Sequence, residues 1–404
     1  MNYITILIYS LLLISFFIGS KKAKLGTFNN EALSLDAMTN LKGVMAIMVL
    51  MHHISQKAAF QQTHTIPVFE NIGFLFVGVF FFCSGYGLYK SYLTKENYLK
   101  GFLKKRVLPI VISYYVMIAL YAIYHLVIGS EFTLTQWICK LTGLVIINSQ
   151  SWYVYVIIIL YISFYFIFKN ERLRKHGILL LLIICLLQGV LFLVINHFPW
   201  YIGEKDWWKV PGAFNNLPWY MRHCALPFEG EWWVNSTIGF ITGLFFAQNE
   251  KGITEYIEKN YLFCLVATII AVGTTTYLGN YSLKNIGYWT EFSGNLGVDK
   301  KTFCYIIQGI QVIVFNFFII LLMKKFYVHN KFYTVFGKAS LEVYLIQEMI
   351  LFSFAFLIET GRTPIFKVNN YNILLYAVVV TVTVLASSLI YQKINQTLTK
   401  GLKK

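Results

Sequence analysis

The chain has 404 residues, of which 57% are hydrophobic and 13% are charged. A soluble globular domain carries roughly 25% charged residues, so this composition excludes an ordinary soluble protein and indicates one that is solvated by lipid. The net charge is +16, but the basic residues lie between apolar segments. That distribution favours membrane topology over nucleic-acid binding, and we expect no nucleic-acid partner.

The first apolar segment covers residues 3–20 and is followed by a group of lysines that begins at Lys21. A cleavable signal peptide carries its positive charge in front of the apolar stretch, not behind it. The pattern therefore predicts a retained transmembrane helix with its N-terminus outside. We interpret residues 1–30 as an additional N-terminal helix with a linker, and residues 31–404 as one membrane domain.

Ten further apolar segments follow, and residues 131–149 form a weaker one that Lys140 interrupts. A helix needs about 20 apolar residues to cross the hydrocarbon core, so the weaker segment is expected to be re-entrant or to lie at the surface. The predicted fold is all-α, a polytopic transmembrane bundle of about ten to eleven spans. The ten segments lie near residues 40–56, 72–90, 107–128, 151–168, 176–196, 232–248, 260–279, 303–323, 338–358 and 371–392.

The distribution of basic residues predicts the orientation. If the chain starts outside, about two-thirds of the 34 lysines and arginines fall in cytoplasmic segments, as the positive-inside rule requires. We therefore expect the C-terminus in the cytoplasm and the protein in the inner or plasma membrane of the cell. All nine tryptophans fall on the predicted outer side, four of them in the loop 197–231. An interfacial belt would populate both sides, so this loop is expected to fold into a small cap.

The second span places titratable groups inside an apolar helix. Lys42 stands near its predicted cytoplasmic end, and His52 and His53 stand ten and eleven residues later. Titratable residues are costly within a bilayer, which makes them functional candidates. Imidazole titrates near neutral pH, so it suits a general base that removes a proton from a hydroxyl. The alternative is a polar pair that ends a span at the outer interface.

The cysteines do not suggest a cross-linked or metal-binding protein. They form no Cys-x-x-Cys pair, and most lie within or at the edge of apolar segments. We therefore predict no disulfide framework, no metal site and no bound cofactor. The six residues are Cys83, Cys139, Cys185, Cys224, Cys264 and Cys304.

Two acids stand deep inside the late span at 338–358. Glu342 is one turn from Lys338 and is expected to reach the interface or to pair with that lysine. Glu348 is ten residues from Lys338, a depth similar to that of His53. We predict that Glu348 orients His53 or shares its site. The alternative is a protonated acid that hydrogen-bonds a neighbouring helix.

Five motifs resemble, in order, the signature of the acyltransferase-3 family of membrane-bound acyl transferases. The family spacing between a basic residue and a histidine selects His53 over His52, although Lys42 replaces the usual arginine. Gln347 stands where many members have a histidine. The matching stretches are Leu35-Asp36 with Lys42 and His53, then Phe80-Phe81-Phe82-Cys83-Ser84-Gly85-Tyr86, Phe102-Leu103-Lys104-Lys105-Arg106 with Pro109, Ser151-Trp152-Tyr153, and Gly337-Lys338 with Ser340-Leu341 and Tyr344-Leu345-Ile346.

The resemblance implies a membrane O-acyltransferase. Such an enzyme moves an acyl group, usually acetyl, from cytoplasmic acyl-CoA to a hydroxyl of an extracytoplasmic glycan or lipid-linked sugar. The expected partners are membrane lipid, acyl-CoA (acetyl-CoA) as co-substrate and the hydroxyl acceptor. The expected site residues are His53 and Glu348 for catalysis, Lys42, Lys104, Lys105 and Arg106 for acyl-CoA binding, and Ser84, Tyr86, Trp152, Tyr153, Tyr344 and Gln347 for a substrate channel.

Each of these assignments has a simpler alternative. The basic triplet that ends at Arg106 also fits plain topogenic charge, and Ser84-Gly85 also fits close packing between helices. Ser84 has no base in its own motif, so we do not expect a nucleophile there. The alternative function is a multi-span transporter or lipid-sugar flippase. Transporters often show internal repeats, and the sequence shows none.

Overall fold

The computed structural model describes a chain that is almost entirely helical. The predicted outer cap at 197–231, and with it most of the tryptophans, lies outside the described residues. The described residues are 2–132, 134–195, 234–287, 298–358 and 370–402.

Every predicted apolar segment contains a helix. In the first half these are α1 (Tyr3–Phe17), α2 (Leu35–Ser55), α3 (Ala58–Gln62), α4 (Gly73–Thr94), α5 (Leu108–Val127), α6 (Leu134–Leu141), α7 (Trp152–Lys169), α8 (Glu171–Arg174) and α9 (Gly177–Ile195). The second half has α10 (Ile238–Gln248), α11 (Glu250–Lys259), α12 (Tyr261–Tyr281), α13 (Val298–Lys325), α14 (Lys331–Lys338), α15 (Ser340–Ser353) and α16 (Asn370–Thr399). Two short strands, β1 (Lys21–Lys22) and β2 (Phe326–Tyr327), pair antiparallel.

Within the described residues, six helical stretches are long and apolar enough to cross a membrane, and two shorter apolar helices accompany them. The protein is therefore membrane-embedded and all-α. The predicted ten to eleven spans are not confirmed, because α10 has 11 residues and α15 has 14, fewer than the roughly 20 that a span needs. The six stretches are Gly73–Thr94, Leu103–Val127, Trp152–Lys169, Tyr261–Ile286, Asp299–Lys325 and Asn372–Thr399.

Glycines hold α4 and α10 in backbone contact. A Cβ atom at Gly85 would collide with the carbonyl oxygen of Phe240, and one at Gly243 would collide with that of Phe82. Small residues are the usual means of close helix approach in a bilayer. The structure thus gives Gly85, in the Ser-Gly-Tyr motif, a packing role.

A second glycine contact joins α2 to α14. A Cβ atom at Gly43 would collide with the carbonyl oxygen of Tyr333, and one at Gly337 would collide with that of Thr39. Gly43 follows Lys42, and Gly337 precedes Lys338. The first and the last of the family-like motifs therefore meet where their glycines pack.

The N-terminal helix α1 lies along the bundle and is bonded to it at both ends. The Thr5 hydroxyl accepts from the backbone N–H of Ile66 at 3.2 Å. The Ser15 hydroxyl bonds the Tyr333 hydroxyl at 2.6 Å, and the Asn330 side chain donates to the carbonyl oxygen of Ile18 at 2.9 Å. These contacts place the start of α1 beside residues 63–69 and its end beside α14.

Candidate functional site

Helix α2 presents two adjacent histidines at its C-terminal end. It begins at Ser34, whose hydroxyl caps the backbone N–H of Ala37 at 3.2 Å. His52 Nδ1 donates to the carbonyl oxygen of Phe69 at 2.7 Å, and the His52 ring packs so closely on Gly73 that a Cβ atom there would collide with it. His52 is therefore fixed by its neighbours and ties α2 to the start of α4.

His53 is held differently. Its ring lies 4.9 Å from that of His52, and the side chain of Gln56, on the next residues of the same chain segment, is its hydrogen-bond partner. His52 and His53 are both half-buried. They differ in their partners, because the ring contact and the hydrogen bond described for His53 both lie within its own chain segment.

A contact between Lys57 and Phe352 joins the segment that follows His53 to the helix that carries Glu348. The Lys57 ammonium lies over the Phe352 ring, 4.2 Å from its centroid. Lys57 comes shortly after the end of α2, and Phe352 is one turn after Glu348 on α15. Glu348 acts electrostatically on Tyr121 and Tyr344, and its pairing with His53 stays a prediction.

Glu342 occupies a different place from the one predicted. It is buried, and its carboxylate accepts from Asn395 Nδ2 at 2.9 Å. The same Nδ2 also donates to Ser113 Oγ at 2.9 Å. Lys338, the expected partner, is exposed. The prediction that Glu342 reaches the interface or pairs with Lys338 is wrong, because a buried amide on α16 satisfies the carboxylate inside the bundle.

Two polar side chains bond the backbone of α15 beside Glu348. Asn148 Nδ2 donates to the carbonyl oxygen of Leu345 at 2.9 Å, and Tyr121 also donates to it at 3.3 Å. The backbone N–H of Met349 donates to the Tyr121 hydroxyl at 2.9 Å. Sequence reasoning missed Tyr121 and Asn148, although Asn148 lies three residues before the Ser-Trp-Tyr motif.

Gln347, on the same helix, is 0% exposed. Its Nε2 donates to Gln150 Oε1 at 2.8 Å. Sequence reasoning also missed Gln150, although this residue directly precedes the Ser-Trp-Tyr motif. The residue that stands in place of a family histidine is therefore one half of a buried amide pair.

Most of the predicted channel residues come together around α4 and α7. The Ser84 hydroxyl hydrogen-bonds the phenols of Tyr153 and Tyr161. The Tyr153 ring lies 5.6 Å from that of Tyr344, and Trp152, 2% exposed, packs beside it. These four predicted residues, Ser84, Trp152, Tyr153 and Tyr344, form one connected aromatic wall.

Tyr86 does not belong to this wall. Its hydroxyl donates to Glu250 Oε2 at 3.1 Å, and the Lys90 ammonium binds the same oxygen at 2.6 Å. Tyr86 is one turn before Lys90 on α4, towards the end of that helix. The structure thus assigns Tyr86 to a polar contact between α4 and the start of α11.

The predicted acyl-CoA-binding residues approach α4 from two directions. Lys104, Lys105 and Arg106 are exposed in the π-helical segment Leu103–Val107. The Arg106 charge acts on Tyr161, the partner of Ser84. Lys42 is half-buried, and its charge acts on Cys83. The two charges thus act on residues around the Ser84 motif, Lys42 on Cys83 and Arg106 on Tyr161.

The comparison with protein families identifies the family to which the chain belongs. The sequence model of a family described as an acyltransferase domain matches residues 35–392. The chain belongs to the acyltransferase-3 family. Comparisons with curated proteins and with solved structures found no match. Membership in the acyltransferase-3 family, together with the apolar helices, supports a membrane acyltransferase in general terms.

The acyltransferase-3 match begins at the start of α2 and ends within α16. It therefore includes both histidines, the aromatic wall and the amide pair, and leaves α1 outside. Among the described residues, no group of three or more His, Cys, Asp or Glu is placed to hold a metal ion. The candidate site is accordingly built from histidine, carboxylate, amide and aromatic groups.

Proposed function

We propose that this chain is a membrane O-acyltransferase that moves an acyl group, with acetyl as the first candidate, from cytoplasmic acyl-CoA to a hydroxyl of an extracytoplasmic glycan or lipid-linked sugar. The supporting observation is the contrast between the two histidines. His52 is locked by Phe69 and Gly73. Among the described contacts, His53 has no such restraint from another helix: its ring lies 4.9 Å from that of His52 on the same helix.

The proposed chemistry assigns His53 as the general base. It accepts the proton of the acceptor hydroxyl while the hydroxyl oxygen attacks the thioester carbonyl. A carbon–oxygen bond forms, the carbon–sulfur bond breaks, and CoA leaves as a thiol after it receives the proton. Glu348 stabilises the imidazolium during transfer. The alternative is a route through an acyl-enzyme. In direct transfer, CoA is released only when the acceptor or water attacks the thioester. In the acyl-enzyme route, CoA is released before the acceptor attacks.

The proposed donor site lies at the cytoplasmic end of the bundle. CoA carries several phosphate charges, and Lys104, Lys105 and Arg106 are exposed where these charges could be bound. Lys42, half-buried and directed at the Cys83 turn, is the group closest to the interior. In this proposal the aromatic wall of Trp152 and its neighbours guides the acceptor.

The proposed orientation can be tested independently of activity. Lys95 lies between α4 and α5 and is exposed, and Val68 lies between α3 and α4 and is 62% exposed. With the N-terminus outside, a membrane-impermeant thiol reagent should label a cysteine at 68 and not at 95 in intact cells, in a cysteine-free background. Labelling at 95 alone would reverse the orientation and contradict a cytoplasmic donor site.

The decisive experiment for the function is acetyl-CoA turnover by the purified chain in detergent or nanodiscs. We expect cleavage of the thioester, or exchange of acetyl between CoA molecules, that depends on His53 and not on His52. A transporter or flippase would move its substrate without any turnover of acetyl-CoA. Absence of turnover in a folded, monodisperse wild-type preparation and in native membranes would contradict the acyltransferase proposal.

A further inference from the structure

The side chain of Gln347 leaves one polar atom unsatisfied in the interior of the bundle. Its Nε2 donates to Gln150 Oε1 at 2.8 Å and to the carbonyl oxygen of Tyr344 at 3.1 Å, which uses both of its protons. Its Oε1 is buried and, within the described residues, accepts no hydrogen bond. Buried acceptors are almost always satisfied in folded proteins, so this oxygen calls for a functional explanation.

The orientation of both amides follows from their partners. A carbonyl oxygen can only accept, so the Gln347 atom that faces Tyr344 must be the nitrogen. The Gln150 atom that faces this nitrogen must then be its oxygen. Gln150 Nε2 is the other polar atom of that amide, and among the described residues no acceptor is hydrogen-bonded to it. The pair presents one free acceptor and one free donor.

Asn148, which also bonds the backbone of α15, holds the same pair in place. Asn148 Oδ1 accepts from the backbone N–H of Gln150 at 2.8 Å, and Asn148 Nδ2 donates to Leu345 at 2.9 Å. One side chain thus fixes both the segment that carries Gln150 and the turn of α15 that carries Gln347. The free donor and acceptor are positioned before any ligand arrives, which lowers the entropic cost of binding.

We propose that Gln150 and Gln347 together bind a neutral hydroxyl of the acyl acceptor. A hydroxyl both donates and accepts, so it can satisfy Gln347 Oε1 and Gln150 Nε2 at once. A thioester carbonyl only accepts and would leave Gln347 Oε1 unsatisfied, and a phosphate would be repelled by that oxygen. The inference rests on the proposed acyltransferase function and adds the two residues that bind the acceptor hydroxyl in its uncharged form.

The test follows acetyl groups from radiolabelled acetyl-CoA in native membranes that contain the full chain. Gln347→Met keeps the side-chain length and removes the polar atoms. We expect about a ten-fold or greater loss of label in membrane acceptors, because the hydroxyl loses its partner. Release of acetate to water and the KM for acetyl-CoA should stay within about two-fold of wild type, because neither uses the amide pair.

A double variant and a matched control sharpen this test. Gln150→Met should act like Gln347→Met. The double variant should transfer acetyl about as well as the less active of the two single variants, since the two residues bind one group. Gln188 on α9 is the control: it is 5% exposed, and neither of its amide atoms has a hydrogen-bond partner within the described residues. Nothing orients that amide, so Gln188→Met should transfer like wild type.

The outcomes separate this inference from the proposed function. Unchanged transfer in Gln347→Met, or an equal loss of transfer and of acetate release, would overturn a role in acceptor binding. Wild-type membranes that show neither transfer nor acetate release above membranes without the protein would overturn the acyltransferase function itself. A ten-fold loss confined to transfer would support both.

Discussion

Two neighbouring contacts within the bundle are built in opposite ways. Between α4 and α10, glycines bring backbone against backbone, as at Gly85 and Phe240. Helices α2 and α15 instead carry polar side chains: His52 and His53 on α2, and Gln347 and Glu348 on α15. The first contact leaves no room for a ligand, whereas the second pair of helices holds polar groups that are costly in a bilayer. We therefore expect α4 with α10 to act as the rigid support and α2 with α15 to act as the reactive face.

The largest expected effect lies on the reactive face. His53→Ala should reduce acyl transfer by about 10²–10⁴-fold, because a positioned general base is lost. The protein should still insert and purify normally, since the contacts described for His53, with His52 and Gln56, lie within its own chain segment. The measurement is the initial rate of acetyl transfer at saturating acetyl-CoA, with thermal stability in detergent recorded for the same preparation.

His52→Ala is the matched control for this result. It removes the hydrogen bond to Phe69 and the packing on Gly73, so the expected cost is stability, about 1–3 kcal/mol for the two effects together. Its specific rate should fall much less than that of His53→Ala. A larger rate loss in His52→Ala than in His53→Ala would indicate that His52, and not His53, is the general base.

Substitutions in the rigid support, at the α4–α10 contact, should lower the stability of the protein rather than its rate of acyl transfer. Gly85→Ala places a Cβ atom against the Phe240 carbonyl oxygen and should cost about 1–3 kcal/mol of stability through overpacking. Gly87→Ala, two residues later on the same helix, meets no atom within 4 Å and should be neutral or stabilising. Thermal unfolding of both variants in detergent measures the difference. Equal unfolding temperatures would show that the α4–α10 contact can relax.

Glu348 tests whether the reactive face works as a unit. Glu348→Gln should lower turnover and change the pH–rate profile, with little change in the KM for acetyl-CoA, because it removes a charge that stabilises the imidazolium. Combined with His53→Ala it should add almost nothing, as expected for groups that act together. Additive losses, or an unchanged rate in the single variant, would leave Glu348 as a helix-packing residue.

The smallest expected effect concerns the donor end. Lys42→Ala should raise the KM for acetyl-CoA about ten-fold and leave kcat near wild type, because it removes binding shared by ground state and transition state. Lys42→Arg keeps the charge and should retain function. Unchanged affinity for acetyl-CoA in Lys42→Ala would show that Lys42 is only a topological charge.

Much of the fold was predictable because its signals are long and local. Each apolar segment became a helix, and α6 is as short as the interruption at Lys140 suggests. The number of spans was less predictable, because the predicted segments at 232–248 and 338–358 hold helices of only 11 and 14 residues. Helix length depends on local turns and on neighbouring helices, and hydropathy alone reports neither.

The site was predictable only where a residue is costly on its own. His53 and Glu348 stand out because titratable groups are rare inside spans. Tyr121, Asn148 and Gln150 gave no such signal, because tyrosine and amide residues are common near helix ends. Their importance arises from partners about 200 residues away, such as Leu345 and Gln347, which no local pattern reveals.

The contacts of α1 have a consequence for biogenesis. The Ser15–Tyr333 hydrogen bond joins residues 318 positions apart. At translation rates of about 5–20 residues per second, roughly 15 to 60 seconds separate the synthesis of its two partners. During that interval the start of α1 can already contact the Thr65–Ile66 segment. The contacts of α1 are thus completed in two stages, and those with α14 form late in synthesis.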